Sequence, residues 1–387
     1  FRLNRAGSVR EARELMRGYH APVQNMVVAD TQGTIGFFTI GDVPLRAGGD
    51  GTLPVPGWTG EFDWTGLVPV DQLPQAIDPE AGVFVNANNL AMPAGSGAFL
   101  GYGYDEAYRA QRITDLLAAE GPATPDRMAA IMMDTVSLEA QTLLPVMLEV
   151  RVETPRDANA LAILRRWDFA MDRDRPEPLI FVAWQRELNR ALYADELGEA
   201  LFADYWNLRP TTVSRMLTQS TDWCDDVSTD ERESCQDILR TTLTTVLDRL
   251  TEAYGEDLEA WRWGDVHIAY LTHRIYGRIP IVGSWFNLSI ETDGGDFTVN
   301  RGAMSIWSES LPYAHVHGAG FRAIYPLDEL SSSRFIIATG QSGHPFSPHY
   351  GDMVERWRDG EWITIANIPA TLADVGLGSF TLRPASE

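Results

Sequence analysis

Gly82-Val-Phe-Val-Asn-Ala-Asn-Asn89 is an apolar run closed by three asparagines, with Asp78-Pro79 before it and Met92-Pro93 after it. Short runs of β-branched and aromatic residues between such breaks read as strands. Side chains alternate faces along a strand, so Asn86 and Asn88 share one face and Asn89 takes the other. Carboxamides placed there cost free energy unless their polar atoms find partners. One such partner is a developing oxyanion. An Asn side-chain N–H aimed into a cleft stabilises the tetrahedral intermediate of acyl transfer by about 3 kcal/mol. A polar turn explains the same spacing, and spacing alone leaves both readings open.

Outward from this run the chain has three textures. Residues 1–103 are strand-rich, and Met26-Val-Val-Ala-Asp30, Thr31-Gln-Gly-Thr34 and Ile35-Gly-Phe-Phe-Thr39 read as two strands around a tight turn. Residues 104–262 are helical: Ile113, Leu116 and Leu117 recur at helical spacing, and Leu161, Ile163 and Leu164 follow a Pro155-Arg-Asp157 start. Ser228-Thr-Asp-Glu231 has the capping-box pattern and predicts a helix running to Tyr254-Gly255. Its stripe of Ile238, Leu243, Val246, Leu247 and Leu250 reads as core. Residues 263–387 return to strands and turns, with a buried strand at Arg334-Phe-Ile-Ile-Ala-Thr339 and a turn at Asp359-Gly360. No flexible Ser/Gly linker separates the regions, so the expectation is one α+β fold interrupted by a helical insertion.

Bulk properties exclude several classes. The 387 residues are 44% hydrophobic, ample for a sizeable core. With 31 Lys and Arg against 54 Asp and Glu, the net charge is -23. Phosphate binding needs a basic face, so a nucleic-acid partner is not expected. No run of about 18 apolar residues occurs, so no membrane span is expected. No signal peptide is visible either, and Phe1 stands within what reads as the middle of a domain. Cys224 and Cys235 bracket a turn, a spacing that suits a short disulfide in an exported protein; two reduced thiols remain the alternative.

Other polar groupings read as structural. His315-Val-His317 and His344-Pro-Phe-Ser-Pro-His349 lack an accompanying HExxH helix or carboxylate triad, so no metal site is assigned to them. Ser342 lies in Gly340-Gln-Ser-Gly343, where one glycine is misplaced for a nucleophile elbow, and the segment reads as a turn. Asp293-Gly-Gly-Asp296 is a weak calcium-loop pattern better explained as a hairpin turn.

Taken in order, many blocks of this chain resemble the penicillin acylase family. They include Gln24-Asn-Met-Val-Val-Ala-Asp30, Gly41-Asp-Val-Pro44 with Arg46, Asp50-Gly-Thr-Leu-Pro-Val-Pro-Gly57 and Phe62-Asp-Trp-Thr-Gly-Leu-Val-Pro69. The Asn86–Asn89 run follows, then Tyr108-Arg-Ala-Gln-Arg-Ile113 and Trp261-Arg-Trp-Gly-Asp-Val-His267. Gly294-Gly-Asp-Phe-Thr-Val-Asn-Arg301 and Gly340-Gln-Ser-Gly-His-Pro-Phe-Ser-Pro-His-Tyr350 complete the series.

The resemblance implies an αββα sandwich of the N-terminal-nucleophile hydrolases and cleavage of an N-acyl amide to a carboxylic acid and an amine. Its nucleophile is a serine exposed by autocatalytic cleavage, with that serine's α-amine as general base. On the resemblance Asn88 is the side-chain oxyanion donor, and Arg109 orients it and the amine. Trp58, Trp64 and Phe84 are candidate apolar walls of an acyl pocket. The nucleophile-bearing part of the β subunit, roughly 150 residues or about one domain, is expected ahead of Phe1, together with a separate α subunit as partner. Calcium enters only through the resemblance, because the acid that relatives use after the Asn motif has no counterpart between Asn89 and Asp105. The implied location is the periplasm. Rival readings are an acyl-homoserine lactone acylase of the same family, a non-catalytic relative that binds acyl ligands, and a hydrolase using the histidines and a metal.

Overall fold

A computed structural model describes residues 1–91, 98–365, 372–373, 376, 378 and 380–383. The fold divides into two compact units. One comprises Phe1–Ala118, Tyr325–Ser333 and Ile365–Glu387; the other comprises Ala119–Ile324 and Arg334–Thr364.

In the first unit, helix α1 (Val9–Leu15) starts where Ser8 accepts a hydrogen bond from the Glu11 amide. Strands β1 (Gln24–Ala29) and β2 (Ile35–Ile40) form the expected hairpin, in register from Gln24 opposite Ile40 to Ala29 opposite Ile35. Asp30 closes the turn, its Oδ1 accepting from the Gln32 and Thr34 amides, while Gly33 supplies a φ of +92°. A two-stranded ribbon follows, β3 (Pro44–Arg46) against β4 (Trp64–Leu67). Strand β5 (Gln75–Ile77) joins the free side of β2. Central β2 is buried at four consecutive residues and so on both faces, whereas β4 is exposed along its whole length. A small core of Val43, Val68 and Leu73 receives Ala98 and Leu100. Helix α2 (Tyr108–Ala118) follows the Asn-bearing loop.

The strand expected at Gly82–Asn89 is not one. Residues 83–86 run without ladder partners among the described strands, and the chain bends at Ala87–Asn89. The reason is local: Asn88 has φ +64°. That left-handed conformation is tolerated by asparagine but cannot continue a strand. Asn89 Oδ1 caps the bend by accepting from the Ala87 amide at 3.1 Å.

The second unit holds helices α3 (Pro125–Met132), α4 (Leu138–Met147), α5 (Pro155–Arg165), α6 (Glu177–Leu197), α7 (Glu199–Tyr205), α8 (Pro210–Thr218) and α9 (Cys235–Tyr254). Helix α6 is buried nearly all round from Glu177 to Tyr193. Its polar residues are accordingly paired: Gln185 with Glu139, and Arg186 with the Ile306 carbonyl at 2.8 Å. The α9 stripe packs on it, with Leu243, Val246, Leu247 and Leu250 in the core. Helix α9 starts later than its Ser228–Glu231 pattern predicts. The working box is Ser234 with Asp237. Ser228 instead bonds Asp226 inside a loop that also pins Glu233, and that loop is closed by a Cys224–Cys235 disulfide with Cα atoms 4.9 Å apart.

Strand β6 (Ile268–Leu271), helix α10 (Gly283–Phe286) and strands β7 (Leu288–Glu291), β8 (Gly302–Met304) and β9 (His315–Gly318) come next. These strands form a sheet in the order β7-β6-β9-β8, parallel only between β6 and β9. Strands β10 (Phe321–Ile324), β11 (Arg334–Ile337) and β12 (Ile363–Thr364) make an antiparallel sheet, beside which helix α11 (Val354–Arg358) supplies Trp357 to a second core cluster. Asp293–Asp296 is not a hairpin turn: Gly295 bridges in parallel to Arg301, and Asp293 is held by Arg173 at 2.8 Å. The Arg173 ion pair takes up the carboxylate that a hairpin would leave in solvent.

Candidate functional site

Arg109, second residue of α2, is 8% exposed. Its Nη2 donates to the Ala87 carbonyl at 2.7 Å, to Asn88 Oδ1 at 2.9 Å and to Asp105 Oδ2 at 2.5 Å. The Asp105 amide in turn donates to the Asn88 carbonyl at 3.0 Å. Two segments are thereby stitched together: the bend at Ala87–Asn89 and the approach to α2. Guanidinium has donors only, so the Asn88 atom it holds is the oxygen. The Asn88 Nδ2 group is left outside that contact, on an exposed residue, with its hydrogens available. A fixed amide whose N–H points outward is the element that an oxyanion hole requires.

Sequence reasoning put Asn88 and Arg109 together through resemblance, and the structure places them in contact. It missed Asp105. The available signal was an Asp four residues ahead of an Arg at a helix start, a spacing that favours ion pairing. Nearby, Asn86 Nδ2 is buried without a partner among the described residues.

Among the described residues no ring contact joins the three aromatic candidates to one another. Trp58 and Trp64 are exposed, at 88% and 64%, and Phe84 packs half-buried with its ring 5.9 Å from Phe37. Trp64 projects from strand β4, which is exposed along its length. Positions 90–104 carry no carboxylate that could serve as a calcium ligand. Among the described residues, no three His, Cys, Asp or Glu converge on a point suited to a metal.

His317, His344 and His349 are exposed, and His349 Nδ1 meets Asp352 at 2.9 Å. His315 is buried and bonds Thr292 Oγ1 at 2.9 Å. It stacks on His267, whose ring lies on Trp263 at 4.5 Å. Burial, followed by the neighbouring His315, holds His267 down to about 3. Burial and the Arg322 charge hold His315 down to about 4. Both rings are neutral core groups. Among the described residues no helix is long and apolar enough to cross a membrane.

Residues 1–373 match the family described as penicillin amidase. Penicillin acylase 2 proenzyme of a Pseudomonas species is 29% identical over 359 residues, covering 92% of this chain and 46% of that protein. Acyl-homoserine lactone acylase QuiP of Pseudomonas syringae pv. tomato is 29% identical over 389 residues, covering 94% of this chain and 46% of that protein. Among solved structures, the thermostable penicillin G acylase from Alcaligenes faecalis superposes with a TM-score of 0.67 at 17% identity, over 99% of this chain and 71% of that one. The chain thus spans about half the length of the curated relatives it matches.

Proposed function

This chain belongs to the penicillin amidase family, and from that premise we propose that it supplies the side-chain oxyanion donor of an N-acyl amide hydrolase. The observation that carries the reading is the 2.9 Å contact from Arg109 Nη2 to Asn88 Oδ1, which fixes which way the carboxamide faces. In the proposed reaction, the hydroxyl of an N-terminal serine, contributed from outside these residues, attacks the acyl carbon. Its α-amine takes the proton. The carbonyl oxygen becomes an oxyanion and accepts a hydrogen bond from Asn88 Nδ2, and collapse, with the α-ammonium passing its proton to the leaving nitrogen, expels the amine and leaves an acyl-enzyme. Water then hydrolyses that ester to the carboxylic acid. Arg109 positions Asn88 without touching the substrate.

The wider reading is part of the same proposal: an αββα sandwich completed by β-subunit strands beyond this chain, an α subunit, and residence in the periplasm. The Cys224–Cys235 disulfide supports an oxidising compartment. Penicillin-like amides and acyl-homoserine lactones are both candidate substrates, since relatives of the two kinds are equally similar at 29%. The test is to assay the assembled enzyme against a phenylacetyl amide and an N-acyl-homoserine lactone, following amine release, with Asn88→Ala as comparison. Turnover of neither class, or turnover indifferent to Asn88, rejects the reading.

A further inference from the structure

We propose that a cavity in the first unit, built around Arg46, binds a monocarboxylate with an apolar or aromatic body. The cavity measures about 820 Å³, and its walls include Leu45, Arg46, Asp50, Phe99 and Tyr102. That volume lies in the range of small-ligand sites. Arg46 ends strand β3 and is half-buried. Its guanidinium lies over Gly51, where a Cβ would come within 2.8 Å of Cζ and where φ is +83°. Glycine there leaves room for the arginine and permits the loop to turn beneath it.

Among the described residues, the Arg46 side chain makes no hydrogen bond or ion pair. In a chain with 54 acidic residues against 31 basic ones, a half-buried arginine left unclaimed by an acid needs an explanation. Asp50, in the same wall, does not claim it. Asp50 Oδ1 accepts from the Thr52 amide at 3.0 Å and the Thr52 hydroxyl at 2.5 Å, and the Tyr102 hydroxyl bonds the same carboxylate. Apolar and aromatic side chains make up much of the remaining lining. Phe99 and Tyr102 meet edge to face at 4.9 Å, and Leu45, Phe99 and Tyr102 remain 45%, 47% and 70% exposed.

A guanidinium fork beside an open aromatic wall is matched by a carboxylate on an apolar body. The single cation and the adjacent Asp50 select one negative charge over two, so a phosphate dianion fits worse. Binding of this kind needs no nucleophile, and the inference stands apart from the amide-hydrolase reading.

The test is calorimetric titration of the 387-residue chain with phenylacetate at low salt, using neutral phenylacetamide as comparison. Phenylacetate should bind about tenfold tighter or more, the usual scale for a charged hydrogen bond. Arg46→Ala should erase that preference, and Asn88→Ala should leave it intact. Should Arg46→Ala fail to fold, Leu45→Glu decides: a second carboxylate in the wall weakens the acid and spares the amide. No binding of phenylacetate, equal affinity for acid and amide, or loss of binding in Asn88→Ala instead of Arg46→Ala would overturn the proposal.

Discussion

In the assembled enzyme, Asn88→Ala removes one donor that acts only once the carbonyl oxygen carries charge. The expected result is a fall in kcat of about 10² to 10³ with KM changed far less. Steady-state kinetics on either amide class measures this, and unimpaired turnover would remove Asn88 from the mechanism. Arg109→Lys should move kcat in the same direction, because one ammonium cannot reproduce a planar group bonded to Ala87, Asn88 and Asp105 at once. Titration of the buried pair gives another residue-scale prediction. His267 and His315 have folded pKa values of about 3 and about 4, below the unfolded value of 6.5. As pH falls below 6.5 the unfolded chain takes up protons that the folded chain refuses, so their contribution is complete above 6.5 and is lost on acidification. Each histidine should contribute a slope of about 1.4 kcal/mol per pH unit. Urea unfolding at pH 7, 6 and 5.5, above most carboxylate titration, should show stability falling. A flat profile would mean that the rings are not buried neutral. Of these groups, Asn88 and Arg109 were legible through a run of ordered motifs. His267 was quoted within such a motif but drew no attention, because burial of a lone histidine leaves no periodic mark.

At the scale of elements, α9 separates what periodicity carries from what it does not. Its apolar stripe located the helix body, and four of the five named residues are in the core. Its start was ambiguous, since Ser228-x-x-Glu231 and Ser234-x-x-Asp237 carry the same signal six residues apart. Long-range facts chose between them: Glu233 binds back to the Asp226 amide, and the disulfide fixes Cys235 at the first helical position. Ser234→Ala should therefore cost about 1 kcal/mol, while Ser228→Ala should stay within about 0.5 kcal/mol. Chemical denaturation of both variants distinguishes the two starts, and a larger loss at Ser228 would reverse the assignment. The Asn-bearing run failed for a related reason. Val83, Phe84 and Val85 have strand character, but the backbone sign at Asn88 is invisible to side-chain alternation.

For the molecule as a whole, two surface properties oppose each other. Large apolar side chains stand in solvent in each unit: Trp58, Trp64 and Val27 in the first, Ile281, Ile275 and Phe346 in the second, all at 57% exposure or more. Strand β1 adds an edge unpaired among the described residues at one side of its sheet. Such surfaces favour association. The net charge of -23 opposes it through repulsion between copies. Repulsion of this kind reaches roughly 30 Å at 0.01 M salt and about 8 Å at 0.15 M, whereas apolar attraction is not weakened by screening. The isolated chain should accordingly be monodisperse at low salt and associate as salt rises, with dye binding to its apolar surface throughout. Light scattering across that range measures the effect. Co-expression with the segments that the longer relatives possess should suppress both association and dye binding, because the proposed partners would cover these faces. A chain that stays monomeric at high salt and binds no dye would show that the exposed side chains are scattered singly, and the expectation of a covering subunit would lose its support.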